Sequence, residues 1–248
     1  MSFVQQGKYD KAIDFYNKAI EIDTQSSQLF YNRGNAYFDL KKYKEAIFDY
    51  NQAIMLNKEY EKAYFNRANS YFSLGQIELA LKDYNKALEI NSFSSEVFNH
   101  RGILFYAQNQ KEKSLNDFNR AIDLNPRNYE AINNRGILHY EKNEYDLAIK
   151  DFTKVIEINK NFADAYNNRG NVYFDKQSFD IAISDYNQAI RLNPDLFDTY
   201  FNQALAFEKI NRKTKAIETY QLFFKLAPDE YSKYKDFAQK KVESLENE

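Results

Sequence analysis

The sequence predicts an all-α solenoid of stacked antiparallel helix pairs. Three observations lead there. First, Gly34, Ala68, Gly102, Gly136, Gly170 and Ala204 stand 34 residues apart, and a fixed period of that size marks an array of similar units, not one globular core. Second, apolar residues recur within each period at i, i+4 and i+7, the spacing of a one-sided helix. Third, residues that end helices fall at the same two places in the period. In the stretch from Tyr166 to Pro194, two amphipathic helices flank a short polar turn near Lys176, Gln177 and Ser178.

With the recurrent Gly or Ala as position 8, full repeats run 27–60, 61–94, 95–128, 129–162, 163–196 and 197–230. Residues 1–26 match positions 9–34 of an earlier repeat, so its first helix is mostly missing; Phe3 and Val4 precede a turn expected at Gly7, and the second helix carries Ala12, Tyr16 and Ala19 in phase. The natural protein is expected to extend further back. In helix A, position 4 is Phe30, Tyr64, Phe98, Ile132, Tyr166 and Tyr200, and position 11 is Tyr37, Tyr71, Phe105, His139, Tyr173 and Phe207. The small residue at 8 admits a neighbouring helix closely. Position 15 holds Gly7, Gly75, Asn109, Asn143 and Asn211, which tolerate the left-handed backbone that closes a helix. Helix B has Ala or Ser at 20 (Ala46, Ala80, Ser114, Ala148, Ala182, Ala216) and an aromatic at 24 (Tyr50, Tyr84, Phe118, Phe152, Tyr186, Tyr220). Asn57, Asn91, Asn125, Asn159 and Asn193 cap it, and the three prolines, Pro126, Pro194 and Pro228, follow at position 32, where the helix cannot continue. Residues 231–248 continue as a lone helix A with Tyr234, Phe237 and Ala238 in phase and Lys241 in place of an aromatic, the expected capping helix, with Asp229 or Glu230 at its N-terminus.

This pattern resembles the tetratricopeptide repeat (TPR) family over nearly the whole chain: a large aromatic at 4, a small residue at 8, an aromatic at 11, Ala at 20, an aromatic at 24 and Pro at 32. It departs in the Arg at 7, in His139, and in Lys or Ser at several position-32 slots. The resemblance implies a right-handed superhelix whose hollow side is lined by helix A, and a protein- or peptide-binding role.

Position 7 is Arg33, Arg67, Arg101, Arg135 and Arg169, then Gln203; position 23 is Asp49, Asp83, Asp117, Asp151 and Asp185, then Thr219. The two charges vanish together, and both positions lie at nearly equal distance from the A–B turn. Intra-repeat Arg–Asp pairs, partly buried and bidentate, are expected.

Helix A positions outside the stripe supply the candidate peptide-binding residues. Position 6 carries Asn32, Asn66, Asn134, Asn168 and Asn202, with His100 in the third repeat; Asn35, Asn69 and Asn171 stand at 9, and Asn99, Asn133 and Asn167 at 5. A carboxamide offers an acceptor and two donors, so such a row can hold both backbone groups of an extended peptide. The row is similar to the asparagine ladder in the repeat domain of O-GlcNAc transferases, whose catalytic domain has no counterpart here. Position 12 adds Phe38, Phe72, Tyr106, Tyr140 and Phe174 as side-chain pockets. Carboxylates Glu96, Glu130, Asp164 and Asp198 at 2, with Asp39, Glu141 and Asp175 at 13, make the groove acidic and suited to a polar or basic segment. The Lys and Arg clamp of chaperone-tail binders is absent from the matching positions.

Composition narrows the function. The chain is 44% hydrophobic and 28% charged, with 21 Tyr, 21 Phe, no Cys and a net charge of −2, which suits a folded chain and disfavours nucleic-acid partners. Without Cys there is no thiolate chemistry or Cys-based zinc site. No apolar run is long enough to span a bilayer, so no membrane partner is expected. His100 and His139 read as repeat positions and the glycines lie within helices, so no enzyme activity, cofactor or metal is expected. The compartment is open, with cytoplasm as the default. The leading reading is a non-catalytic scaffold that binds an extended peptide or disordered segment through the Asn ladder and aromatics. Two alternatives stand beside it: the substrate- or partner-presenting portion of a larger enzyme or complex, and a scaffold that self-associates through the incomplete N-terminal repeat.

Overall fold

The computed structural model describes residues 3–247, and every regular element among them is helical. The expected end spans include residues 1, 2 and 248, which lie outside the described residues, as do the side chains of Phe3 and Val4. The chain forms two compact units, residues 1–126 and 127–248. The first contains α1 (Phe3–Ile22) and three hairpins: α2 (Ser27–Asp39) with α3 (Tyr43–Leu56), α4 (Glu61–Ser73) with α5 (Ile77–Ile90), and α6 (Ser95–Ala107) with α7 (Lys111–Leu124). The second pairs α8 (Tyr129–Glu141) with α9 (Tyr145–Ile158), α10 (Ala163–Asp175) with α11 (Phe179–Leu192), and α12 (Phe197–Lys209) with α13 (Lys213–Leu226). A 3-10 turn, Asp229–Tyr231, then leads into α14 (Ser232–Asn247).

Within each unit the stacking is asymmetric. The A helices touch the A helices of adjacent repeats (α2 with α4, α4 with α6; α8 with α10, α10 with α12), and each B helix packs on the A helix that follows it. The A helices therefore form a continuous layer in each unit.

The turn chemistry goes beyond the expectation. Position 15 has positive φ in all six full repeats, including Lys41 (φ 60) and Gln177 (φ 60) as well as Gly75, Asn109, Asn143 and Asn211. The hydrogen bonds explain why even Lys and Gln comply. Lys42 N–H donates to the Tyr37 carbonyl at 2.9 Å and Lys41 N–H to the Phe38 carbonyl at 2.8 Å, the paired closure of a Schellman motif. The same pair of bonds closes α4, α6, α8, α10 and α12. Gly7 is a correction: it lies inside the continuous helix α1. An A–B turn forms only when a first helix packs back on the second, and the few residues before Gly7 continue their backbone bonding instead. At the other boundary, the Asn57, Asn91, Asn159 and Asn193 carboxamides accept the N–H of the residue two further on at 3.1 Å, which turns the chain out of helix B.

Packing is organised by a small residue against a ring. A Cβ at Gly34, Gly102, Gly136 or Gly170 would stand 2.7–2.8 Å from Tyr50, Phe118, Phe152 or Tyr186. Positions 3 and 10, which the stripe reading passed over, are more deeply buried than 4 and 11: Ala63, Val97, Ala131, Ala165 and Thr199 at 3, and Ala36, Ser70, Leu104, Leu138, Val172 and Ala206 at 10. Ala63 packs against Ala53 and Ile54 of the preceding helix. In α14 the core contacts are Ala238, Val242 and Leu245, while Tyr234 and Phe237, at 52% and 44% exposure, lie against the Phe201 ring of α12 with centroids 5.4 and 5.6 Å away.

Candidate functional site

The Arg and Asp rows meet within each hairpin. Arg33 Nε donates to Asp49 Oδ2 at 2.7 Å and Arg33 Nη2 to Asp49 Oδ1 at 2.6 Å. Arg67–Asp83, Arg101–Asp117, Arg135–Asp151 and Arg169–Asp185 repeat this fork at 2.6–2.8 Å. The Asp side chains are buried and the Arg side chains keep one edge exposed. Asp49 hydrogen bonding raises the Arg33 pKa, and burial pushes the Asp49 carboxyl up against the opposing pull of Arg33. The remaining Nη1 reaches the previous repeat: Arg33 to Asn17 Oδ1 at 2.7 Å, Arg67 to Asn51 at 2.5 Å, Arg101 to Asn85 at 2.8 Å, and Arg169 to Thr153 Oγ1 at 3.1 Å. Where the charges are lost, Gln203 Nε2 still donates to Asn187 at 3.0 Å. Four of the five guanidiniums, those of Arg33, Arg67, Arg101 and Arg169, also lie 5.4–5.9 Å from a ring at 4 or 11, as Arg67 does with Tyr64 and Tyr71; in the Arg135 repeat those positions are Ile132 and His139. Rows 4 and 11 are thus half-buried sheaths for the cation. The polar row at position 25 was legible in the sequence and marks the inter-repeat register.

His139 keeps its place in this layer. Its Nδ1 lies 2.6 Å from Glu144 Oε2, and its Nε2 lies 3.9 Å from Asp151 Oδ2.

The Asn rows stand on the A-helix layer, but much of their bonding capacity is used between repeats. Asn66 Nδ2 donates to Asn35 Oδ1 at 2.8 Å and to Tyr31 Oη at 3.1 Å; Asn202 Nδ2 donates to Asn171 Oδ1 at 3.1 Å, and Asn168 Nδ2 to Asn133 Oδ1 at 3.3 Å. The position-9 carbonyls also accept the buried tyrosines: Tyr50 on Asn35 at 2.9 Å, Tyr84 on Asn69 at 2.6 Å, Tyr186 on Asn171 at 2.9 Å. Where position 24 is Phe118 or Phe152, position 9 is Ile103 or Ile137, a coupled substitution that the sequence displayed and pattern reading missed. At position 5, Asn99 and Asn133 are buried, and Asn167 accepts from Thr199 at 3.0 Å. Asn32 accepts from Gln28 at 2.8 Å, Asn134 is half-buried, and His100 Nδ1 lies 3.0 Å from the Glu96 carbonyl. These bonds set how much capacity each carboxamide has left to offer a partner. Asn66 has spent both donors, Asn35 and Asn171 have spent their acceptors, and Asn99 and Asn133 do not face an open groove. Neighbouring A helices stack closely enough for one amide to satisfy another, and an amide buried between them must be satisfied.

The aromatics at 12 lean across the turn onto the first residue of helix B. Phe38 packs on Tyr43 with ring centroids 5.4 Å apart, Tyr140 on Tyr145 at 6.1 Å and Phe174 on Phe179 at 5.3 Å. Phe72 packs against the core of the first unit, and Tyr106 is the exposed one, at 37%. In the second unit, Tyr140, Asn171, Phe174, Asp175, Tyr186 and Asn202 line a cleft of about 210 Å³. The position-2 acids Glu96, Glu130, Asp164 and Asp198 are all exposed. Among the described residues no group of His, Asp and Glu is arranged to hold a metal, and no helix is long and apolar enough to cross a membrane.

Family models described as tetratricopeptide repeat match residues 61–93, 163–196 and 198–230, and a further TPR repeat model matches 2–41, 34–74, 102–143 and 138–177. No curated protein matches the sequence. Among solved structures, YrrB, described as a TPR protein with an unusual peptide-binding site, shares 25% identity over 74% of this chain and 95% of its own, with a TM-score of 0.57. PilF of Pseudomonas aeruginosa shares 18% identity over 92% of this chain and 99% of its own at TM-score 0.74. A repeat protein of Parabacteroides merdae shares 21% over 98% and 94%, at 0.68.

Proposed function

Because the chain belongs to the tetratricopeptide repeat family, whose fold is generally a non-catalytic protein-interaction scaffold, we propose that it binds an extended, polar to basic peptide segment along the A-helix layer. One observation carries this reading: the A layer presents half-buried rings beside exposed carboxylates and a cleft of about 210 Å³. The similarity to YrrB, a protein described as having a peptide-binding site, supports it. The amides contribute through whichever groups the repeat–repeat bonds leave over, so rings and acids supply most of the selectivity. Association costs about 4–15 kcal/mol before any contact is counted, and a few net hydrogen bonds at about 0.5–1.5 kcal/mol each do not offset it alone.

The test is a random-peptide display selection on the full chain, followed by charge reversals on each layer. Glu96→Lys, Asp164→Lys and Asp198→Lys on the A layer should each weaken the selected peptides, whereas Glu157→Lys and Glu218→Lys on B helices should not. Equal loss from both sets, or binders indifferent to the A layer, would remove the reading.

A second reading, self-association, rests on α1, where Phe15 and Ile22 are 65% and 88% exposed. Light scattering of the chain and of Phe15→Asp/Ile22→Asp separates it: a dimer that the double substitution dissolves supports it, and a monomer at all concentrations removes it.

A further inference from the structure

The cleft of the second unit has a defined set of bonding groups. Asn171 Oδ1 accepts from both Tyr186 Oη at 2.9 Å and Asn202 Nδ2 at 3.1 Å, which fills its two lone pairs. That leaves the Asn171 Nδ2 donor and the Asn202 Oδ1 acceptor, one of each, on adjacent A helices. One oxygen of Asp175 accepts from Tyr140 Oη at 2.7 Å. The carboxylate is exposed and, among the described residues, meets no Lys or Arg; the neighbouring Lys176 bonds to Asp146 at 2.7 Å instead. The half-buried rings of Tyr140 and Phe174 line the same cleft as this carboxylate.

Most of the combination recurs; the position that matches Tyr140 is Val4, whose side chain lies outside the described residues. In the first unit, Asn35, Phe38, Asp39, Tyr50 and Asn66 are the same residue types at the same repeat positions, with the same two bonds: Tyr50 Oη and Asn66 Nδ2 donate to Asn35 Oδ1 at 2.9 and 2.8 Å. Here Asp39 faces Tyr9, whose hydroxyl pKa its charge raises. The repeats between do not keep the set. Position 13 is Ser73 or Ala107, and Glu141 stands there without an Asn at 9. Asp stands at position 13 only in the two repeats that combine Asn at 9, Tyr at 24 and Asn at 6 of the next repeat.

We propose that the Asp175 cleft, and its copy at Asp39, is a subsite for a lysine or arginine residue of the bound segment. The residue's main-chain carbonyl accepts from Asn171 Nδ2, and its N–H donates to Asn202 Oδ1. Its cationic head lies against Tyr140 and Phe174 and pairs with the open oxygen of Asp175. A cation over a ring and a charge-assisted hydrogen bond are each favourable here. An acidic side chain would be repelled by Asp175, and an apolar one would bury that carboxylate unpaired.

This inference rests on the A-layer peptide reading, and its test separates the two. Peptides are selected by display on the wild-type chain and on Asp39→Asn/Asp175→Asn, which keeps the shape of each side chain and an acceptor for Tyr140 while removing the charge and turning the open oxygen into a donor; unaltered melting verifies folding. The expected result is a Lys or Arg enriched at one position by the wild type and not by the variant. For a wild-type peptide, exchanging that residue for acetyl-lysine should cost about tenfold in Kd against wild type, the scale of a charged hydrogen bond, and little against the variant. Selected peptides without a basic preference, or an exchange that costs both proteins equally, overturn the cation subsite and leave the peptide-binding reading standing. No selected peptide at all overturns both.

Discussion

At the scale of single residues, a side chain is fixed by what its repeat neighbours leave unsatisfied. Tyr84 is buried with its hydroxyl on Asn69. Tyr84→Phe should cost about 0.5–1.5 kcal/mol in urea unfolding, because it orphans that carbonyl. Tyr84→Phe/Asn69→Ile should recover most of the loss, since Phe118 with Ile103 and Phe152 with Ile137 are natural versions of it. Burial raises the pKa of Tyr50, Tyr84, Tyr186 and Tyr220. The sign follows: a tyrosine whose folded pKa exceeds the unfolded value of about 10 lends stability below that pH and loses it above, so the melting temperature should fall steeply past about pH 10. The double variant should fall less steeply. Arg67→Leu, which strands the buried Asp83, should cost about 3–5 kcal/mol, and Arg67→Leu/Asp83→Leu distinctly less than the sum of the two single changes. The type of residue at positions 7, 9, 23 and 24 was plain in the sequence. Which partner each would take was plain only for Arg and Asp, whose charges name their complement. An Asn declares no partner, so the commitment of Asn66 and Asn171 to neighbouring helices stayed hidden. The Phe–Ile and Tyr–Asn couplings held the missing clue.

At the scale of elements, the six A–B turns share one closure, and its strength is visible where the residue is unsuited. Lys41 and Gln177 hold positive φ because two backbone bonds close around them. Gln177→Gly should raise stability by about 0.5–1 kcal/mol by relieving that strain, the relief partly offset by glycine's greater unfolded freedom. Gly136→Val should lose about 1–3 kcal/mol by driving the Phe152 ring from its place. Helix boundaries were legible in the sequence because Gly, Asn and Pro mark them. The exception was Gly7, whose turn depends on a packing partner and not on its own preference. The rows at 3 and 10 escaped notice because Ala, Val and Thr there are individually bland, although together they are the most buried line of helix A.

At the scale of the whole molecule, each unit is a stack in which a repeat rests on its neighbours, so stability is expected to be graded along the stack. Amide hydrogen exchange should be fastest in α1, with Phe15 and Ile22 exposed, and slowest in the interior hairpins. The period made the fold readable almost entire, because 34-residue spacing leaves few architectures open. The candidate binding face was readable only in outline. Position numbers say which side of a helix a residue takes, not whether its hydrogen bonds are spent.

Within the stacks the amides chiefly join repeats, which leaves the ring and carboxylate positions of the A layer as the proposed contacts for a bound segment. A crystal structure of the chain with a display-selected peptide tests it most directly. The expected result is an extended peptide on the A layer with a Lys or Arg head at the Asp175 carboxylate and the Asn171–Tyr186 and Asn171–Asn202 bonds intact. A peptide seated on the B helices, or one that breaks those amide bonds to bind the Asn row along its length, would contradict it.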